Sequence, residues 1–173
     1  LVFFATDGIR PPWLWTTTGT PESTAPLPSC PSCSLSNSPR LVDAGDELLF
    51  LAEDAEHGAE LWRTDGTPAG TRLVADVCPG GCSSLDDDRQ ILPWPGGALL
   101  MAAEDGAHDR EIWLSDGTRA GTRRITDFEA YDAMEPFNFA SPAALGGLVW
   151  FAARHSYGEG GLWITDGAPE STR

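Results

Sequence analysis

One tryptophan returns through the chain at a nearly constant step. Trp15, Trp62, Trp113 and Trp163 are separated by 47, 51 and 50 residues. An apolar run upstream keeps the same step: LVFFA at 1–5, LLFLA at 48–52, LLMAA at 99–103 and VWFAA at 149–153. In each copy the last Ala of that run lies ten residues before the Trp. A turn glycine follows at Gly19, Gly66, Gly117 and Gly167. Three anchors in register across four copies restrict the chain to a repeat architecture.

Each full unit reads as four short strands. The apolar run is the first, as in LLFLAED, and a polar linker leads to a second, such as ELWRTD. The stretch Asp-Gly-Thr-x-x-Gly-Thr then turns the chain, since Gly takes positive φ freely and Asp hydrogen-bonds its own backbone. TRLVADV (71–77) and TRRITDF (122–128) read as third strands, and RQILPW (89–94) and AALGG (143–147) as weaker fourth ones. No segment carries a 3.6-residue apolar period over ten or more residues, so no helix is expected. An all-β unit of about 50 residues with four antiparallel strands and a Trp and Gly signature is the mark of a propeller blade. A β-sandwich is the alternative, but sandwiches do not need repeats of equal length.

The units run 1–47, 48–98, 99–148 and 149–173, one repeat domain of three and a half blades. That falls short of the roughly four to eight blades of a closed ring. The first expectation is therefore a segment of a longer propeller. A terminus lost to processing, or a ring closed with another chain through the incomplete fourth blade, are the alternatives.

Charge narrows the partners. The 173 residues include 26 acidic and 11 basic side chains, for a formal net charge of −15. Nucleic acid and anionic membrane surfaces do not reward such a chain. No run approaches the roughly 18–20 apolar residues of a membrane helix, so no membrane insertion is expected. The sequence opens inside an apolar run with no initiator Met or signal peptide, which reads as a removed leader or a piece of something longer. Cys30, Cys33, Cys78 and Cys82 form two tight pairs, which favours disulfides and a secreted or cell-surface setting.

The pattern G-x-E-L-W-x-T-D-G-T-x-x-G-T-x-x-V-x-D resembles the bacterial ELWxxDGT repeat family of secreted and surface proteins. Repeats two and three carry it well, as Glu60–Asp76 and Glu111–Asp127. Repeat one departs from it, with Trp13 for the Glu, Thr18 for the Asp and Ser23-Thr24 for Gly-Thr. Repeat four has Gly161 for Glu, Ala168 for Thr and Ser171-Thr172 for Gly-Thr. The resemblance implies a secreted scaffold and is silent on any reaction.

Several residues invite a chemical reading beside a structural one. Asp65, Asp116 and Asp166 make either a ring of carboxylates or turn caps, and the Gly that always follows favours caps. Glu60 and Glu111 precede the Trp strand in two copies and suit bonds to backbone or a neighbouring Arg better than catalysis. The linkers EDAEHGAE (53–60) and EDGAHDRE (104–111) and the run Asp86-Asp87-Asp88 offer clustered oxygens. Asp54, Glu56, Asp105, Asp109, Asp86 and Asp88 are thus calcium candidates, although none follows the spaced D-x-[DN]-x-[DN]-G signature, and solvated acidic loops are the plainer reading. His57 and His108 stand five residues before their Trp and His155 eight, which does not superpose into one metal site. For the cysteines, local disulfides are favoured over a four-Cys zinc site or a redox pair, and crossed inter-loop bonds stay open. No nucleophile can be tied to a base, and no organic cofactor is expected. The expected role is a non-catalytic scaffold that binds protein or glycan, with Trp13, Tyr131 and Tyr157 as exposed aromatics, or else an assembly protein whose partners are further copies. A propeller hydrolase is the remaining alternative.

Overall fold

A computed structural model describes residues 1–9, 12–27, 33–35, 39–85, 91–94, 96–108, 110–127, 143–154 and 160–173. The chain is all-β. Four antiparallel sheets follow one another in sequence. The first contains β1 (Val2–Ala5), β2 (Trp13–Thr16) and β3 (Ala25–Pro26). The second contains β4 (Ser34–Leu35) and β5 (Val42–Asp43), both paired to β6 (Leu48–Asp54), then β7 (Gly58–Thr64) and β8 (Arg72–Leu73). The third runs β9 (Ile91–Trp94), β10 (Ala98–Ala103), β11 (Glu111–Ser115) and β12 (Arg123–Arg124). The fourth holds β13 (Ala143–Leu145), β14 (Leu148–Arg154) and β15 (Gly160–Thr165).

The sheets are offset from the sequence repeat by one strand. The expected fourth strand of one unit, β9 or β13, pairs with the apolar strand of the next. The reason is the turn between them. Leu145 pairs with Leu148 across Gly146-Gly147, at φ 64° and 81°, a two-residue turn whose twist suits a tight hairpin. The third strands are shorter than the sequence suggests, but one further backbone bond recurs. The N–H of Leu27, Val74 and Ile125 donates to the carbonyl of Leu14, Leu61 and Ile112 at 2.8, 2.9 and 2.8 Å.

Strand alternation gives each sheet two apolar faces, and the sheets stack. Phe50, Ala52 and Trp62 of the second sheet pack with Leu14, Val2 and Phe4 of the first. Leu49, Leu51 and Leu61 turn the other way and pack with Leu99, Met101 and Ala103 of the third. Leu100, Ala102 and Ile112 in turn meet Phe151 and Trp163 of the fourth. The repeated Trp is thus a packing residue, paired across the hairpin with Phe3, Phe50, Met101 or Phe151.

The Asp-Gly turn is a hydrogen-bonded cassette. In all four copies the residue before the Asp position gives its hydroxyl to the turn: Thr17, Thr64, Ser115 and Thr165 accept from the N–H of Gly19, Gly66, Gly117 and Gly167 at 2.9, 3.0, 3.2 and 2.9 Å. The same hydroxyls meet those of Thr24, Thr71, Thr122 and Thr172 at 2.8, 2.6, 2.8 and 2.7 Å. Asp65 Oδ1 accepts from the backbone N–H and hydroxyl of Thr67 at 2.8 and 2.7 Å, and Asp116 repeats this with Thr118 at 2.9 and 2.7 Å. Gly70 and Gly121 are required there, since a Cβ would lie 2.0 and 2.1 Å from the carboxylate of Asp65 and Asp116.

The degenerate copies solve the same problem differently. In the first turn Thr18 replaces the Asp and Ser23 the Gly, and Ser23 Oγ accepts from the N–H groups of Thr18 and Thr20 at 3.0 and 3.3 Å. In the fourth, Ser171 donates to Asp166, which also accepts from Ala168 N–H at 2.9 Å. Both serine versions end in a short 3-10 turn, Pro21–Ser23 and Pro169–Ser171. Asp65→Thr removes an acceptor from the second turn and is expected to lower the urea midpoint, as loss of a cap does. Adding Gly70→Ser recovers part of that loss, because the new hydroxyl takes the Thr67 N–H. Urea unfolding of both variants checks this, and a double variant less stable than Asp65→Thr contradicts it.

Candidate functional site

The glutamate of the repeated Glu-Leu-Trp stretch is the most deeply buried acid among the described residues. Alternation along β7 and β11 turns Glu60 and Glu111 inward beside the strand edge, where both are fully buried. Glu60 Oε1 accepts from the Cys78 N–H at 3.0 Å and Oε2 from the Ser84 hydroxyl at 2.6 Å. Glu111 Oε2 accepts from the Thr126 hydroxyl at 2.5 Å. Each carboxylate therefore fastens the chain beyond the third strand to the second strand. Burial pushes the Glu60 carboxyl above its usual range, against the lowering effect of the Ser84 and backbone hydrogen bonds.

The acidic linkers fold into matching turns. Asp54 Oδ1 accepts from the N–H of Glu56 and His57 at 2.9 and 2.7 Å, and Oδ2 lies 3.0 Å from His57 Nδ1. Asp105 repeats the arrangement with Ala107 and His108 at 3.0 and 2.8 Å, with Oδ2 2.9 Å from His108 Nδ1. The hydrogen bond to Asp54 raises the His57 pKa. Desolvation works against the Asp54 carboxylate, but its bonds to His57 and Glu56 prevail and hold it below the usual range.

These turns commit the calcium candidates that the structure describes. Asp54 and Asp105 are held by their own backbone and a His, while Glu56 is exposed on the same turn. Asp109, Asp86 and Asp88 lie outside the described residues. Among the described residues no group of three or more His, Cys, Asp and Glu is arranged to hold a metal ion.

Cys78 and Cys82 are joined by a disulfide, the local pairing favoured among the sequence-based alternatives and one suited to an oxidising environment. Cys33 is also disulfide-bonded, and Cys30 lies outside the described residues. The Cys78–Cys82 loop is wedged between sheets. A Cβ on Gly106 of the third sheet would stand 3.2 Å from Cys78 Sγ, and one on Gly58 2.2 Å from the Cys82 carbonyl oxygen. Trp13, expected as an exposed loop aromatic, instead belongs to β2. Its indole stands edge-on to Phe50 with centroids 6.1 Å apart, and Nε1 donates to the Leu27 carbonyl at 2.9 Å. Tyr131 and Tyr157 lie outside the described residues.

One feature went unseen in the sequence. Between the third and fourth sheets lies a groove of about 420 Å³ lined by Arg124, Thr126, Asp127, Trp163, Pro169 and Thr172. Arg124 Nη1 meets Asp127 at 2.7 Å on its wall. At the matching positions of repeat two stand Leu73 and Ala75, so repeat two lacks the Arg and Thr that make this groove polar. That local departure from the repeat is the signal that marks it. Comparisons with protein-family models, with curated proteins and with solved structures gave no match. Among the described residues, no helix is long and apolar enough to cross a membrane.

Glu60 makes stability depend on pH with a definite sign. The unfolded side chain loses its proton at the ordinary carboxylate value and the folded one at higher pH, so stability falls as pH rises through the folded pKa. Glu60→Gln is expected to remove this slope while keeping both contacts, its amide oxygen accepting from the Cys78 N–H and its NH2 donating to a Ser84 hydroxyl turned to accept. Glu60→Ala leaves the buried Cys78 N–H without its acceptor and costs about 1–3 kcal/mol. Denaturant midpoints measured from pH 4 to 8 separate these outcomes, and an unchanged slope in Glu60→Gln contradicts the assignment.

Proposed function

We propose that the chain is a non-catalytic extracellular scaffold, built from propeller-type blades, that holds a protein or glycan partner at a variable position of its repeat. One observation carries the reading: the recurring polar side chains spend their hydrogen bonds inside the chain. Asp65, Asp116 and Asp166 close their own turns, Glu60 and Glu111 fasten strands, and Asp54 and Asp105 hold a linker and a His. A motif that recurs because it builds the blade has no carboxylates left over for acid–base work. The likeness to secreted ELWxxDGT repeats and the Cys78–Cys82 disulfide support an extracellular setting.

The partner site of this reading is the groove beside Trp163. An indole wall with an Arg, an Asp and two threonines supplies a stacking surface and hydrogen-bonding groups of the kind that a sugar ring or a peptide backbone uses. The net charge of −15 favours neutral or basic partners.

Glycan-array and pull-down experiments test the binding role, with Arg124→Ala/Asp127→Ala as the control. Binding by the wild type that falls at least about tenfold in this folded variant is the expected result. Binding that ignores the double variant moves the site elsewhere. Release of cleaved sugars or peptides from the same pools, read by mass spectrometry, contradicts the non-catalytic reading.

A further inference from the structure

The stretch Cys78-Pro-Gly-Gly-Cys82 sets repeat two apart from repeat three. Repeat three has no cysteine at the matching place, and it carries Asp109 where repeat two has Gly58. The disulfide joins residues only four positions apart, so it ties no sheet to another and constrains little of the unfolded chain. What it sets is the shape of one loop. Gly80 and Gly81 inside the loop sit at φ 92° and 80°, and with Pro79 they are exposed. Glycines have the most backbone freedom to lose, so closure through the sulfurs is what holds this loop to one shape.

The closed loop is fitted to the strands around it. Gly58 of β7 runs so close to the Cys82 carbonyl that a Cβ there would overlap it. A Cβ on Gly81 would stand 3.6 Å from the Glu56 carbonyl oxygen, and one on Gly106 of the third sheet 3.7 Å from Cys82 Sγ. Residues 83–85, directly after the loop, bond to both sheets. Ser83 Oγ accepts from the Ala59 N–H at 3.0 Å, and the Ala59 carbonyl accepts from the Ser84 and Leu85 N–H groups at 3.0 and 3.3 Å. The Ser84 carbonyl accepts from the N–H of Glu104, just past β10, at 3.0 Å. Leu85 is fully buried in the core that Leu49 and Leu51 share with Leu99 and Met101. Glu60 completes the grip, its two oxygens holding the Cys78 N–H and the Ser84 hydroxyl. The joint between the second and third sheets thus runs through the segment that the disulfide shapes.

The two cysteines are unequal. Cys78 is 2% exposed, whereas Cys82 is half-buried. An external thiolate therefore reaches Cys82 Sγ and expels Cys78.

We propose that the Cys78–Cys82 disulfide is a redox latch on the joint between the second and third sheets, opened by thiol–disulfide exchange with an external dithiol at Cys82 Sγ. One thiolate of the dithiol bonds to Cys82 Sγ as the S–S bond breaks, and Cys78 leaves as a thiolate that takes a proton from water. The second thiolate then attacks the dithiol's own sulfur in the mixed disulfide and releases Cys82, which is protonated in turn. The dithiol ends oxidised to a disulfide and the loop holds two thiols. Once open, the Gly-Gly loop lets residues 83–85 leave Ala59 and Glu104. The latch goes beyond the scaffold reading and stands whether or not the groove beside Trp163 binds a partner.

Dithiothreitol titrated onto the native chain decides it, with alkylation mapping of the freed thiols and residue-resolved hydrogen exchange. Once Cys78 and Cys82 are free, the amides of Ala59, Ser84, Leu85 and Glu104 are expected to exchange at least about tenfold faster. Those of Leu49–Leu51 keep their protection, and reoxidation restores the rest. Cys30→Ser/Cys33→Ser keeps the response, which assigns it to this loop. Cys78→Ser/Cys82→Ser exchanges fast without reductant and is unmoved by it, and the wild-type titration carries the test should that variant fail to fold. With 2-mercaptoethanol in place of the dithiol, the adduct is expected on Cys82. A disulfide reduced only as circular dichroism is lost, a freed pair with unchanged exchange at Ser84 and Glu104, a response lost in Cys30→Ser/Cys33→Ser, or an adduct on Cys78 overturns the proposal.

Discussion

Everything in this chain depends on sheets that are apolar on both faces. A sheet with one wet face needs a single neighbour, but Leu49 and Phe50, adjacent on one strand, point into different cores. The second and third sheets therefore pack between two others, and the chain meets that demand by repeating itself. The Trp, its cross-strand partner and the Asp-Gly turn recur because stacking requires the same surface at every step. Turn glycines belong to that surface: Gly117 lies over Leu49 and presents its carbonyl to Arg63, so the turn ending one hairpin also seals the joint with the sheet before it.

The acidic composition has its physical place in this scheme. Acids that recur are the ones that local structure consumes, in turns closed within five residues or in a buried bond from Glu60 to Ser84. Repetition here marks structure, and departure from repetition marks surfaces with something else to do. The polar groove made by Arg124 and Thr126 stands where one copy differs from its siblings in sequence.

Much of this was legible in the sequence because it is local. The Asp-Gly-Thr turn involves side chains bonding backbone two or three positions away, and such patterns survive without knowledge of the fold. The all-β class followed from the absence of a helical period. Pairing of Ile91–Trp94 was not legible, since a short apolar strand suits either neighbour and the Gly-rich turn after it decides. Nor was the migration of the inter-sheet arginine: Arg63 lies on the second strand of its repeat and Arg123 on the third, yet both reach the same carbonyl position, a match visible only once the strands are paired. Trp13 misled because it replaces a glutamate of the motif and so looked like an exposed loop residue, while its strand turns it into the first core. Glu60 and Glu111 are invisible as buried acids in any reading of composition, because their donors, at Cys78, Ser84 and Thr126, stand 18, 24 and 15 residues along the chain.

The central claim is that the second and third sheets owe their stability to a neighbour on both faces. Residue-resolved hydrogen exchange tests it most directly. The account predicts that amides of Leu49–Leu51 and Leu99–Met101, in the sheets covered on both sides, exchange slowest. Amides of Trp150 and Ile164, in the sheet with an open face, exchange at least about tenfold faster. Equal protection in all four sheets would contradict the account, because stability would then come from within each sheet and not from the stack.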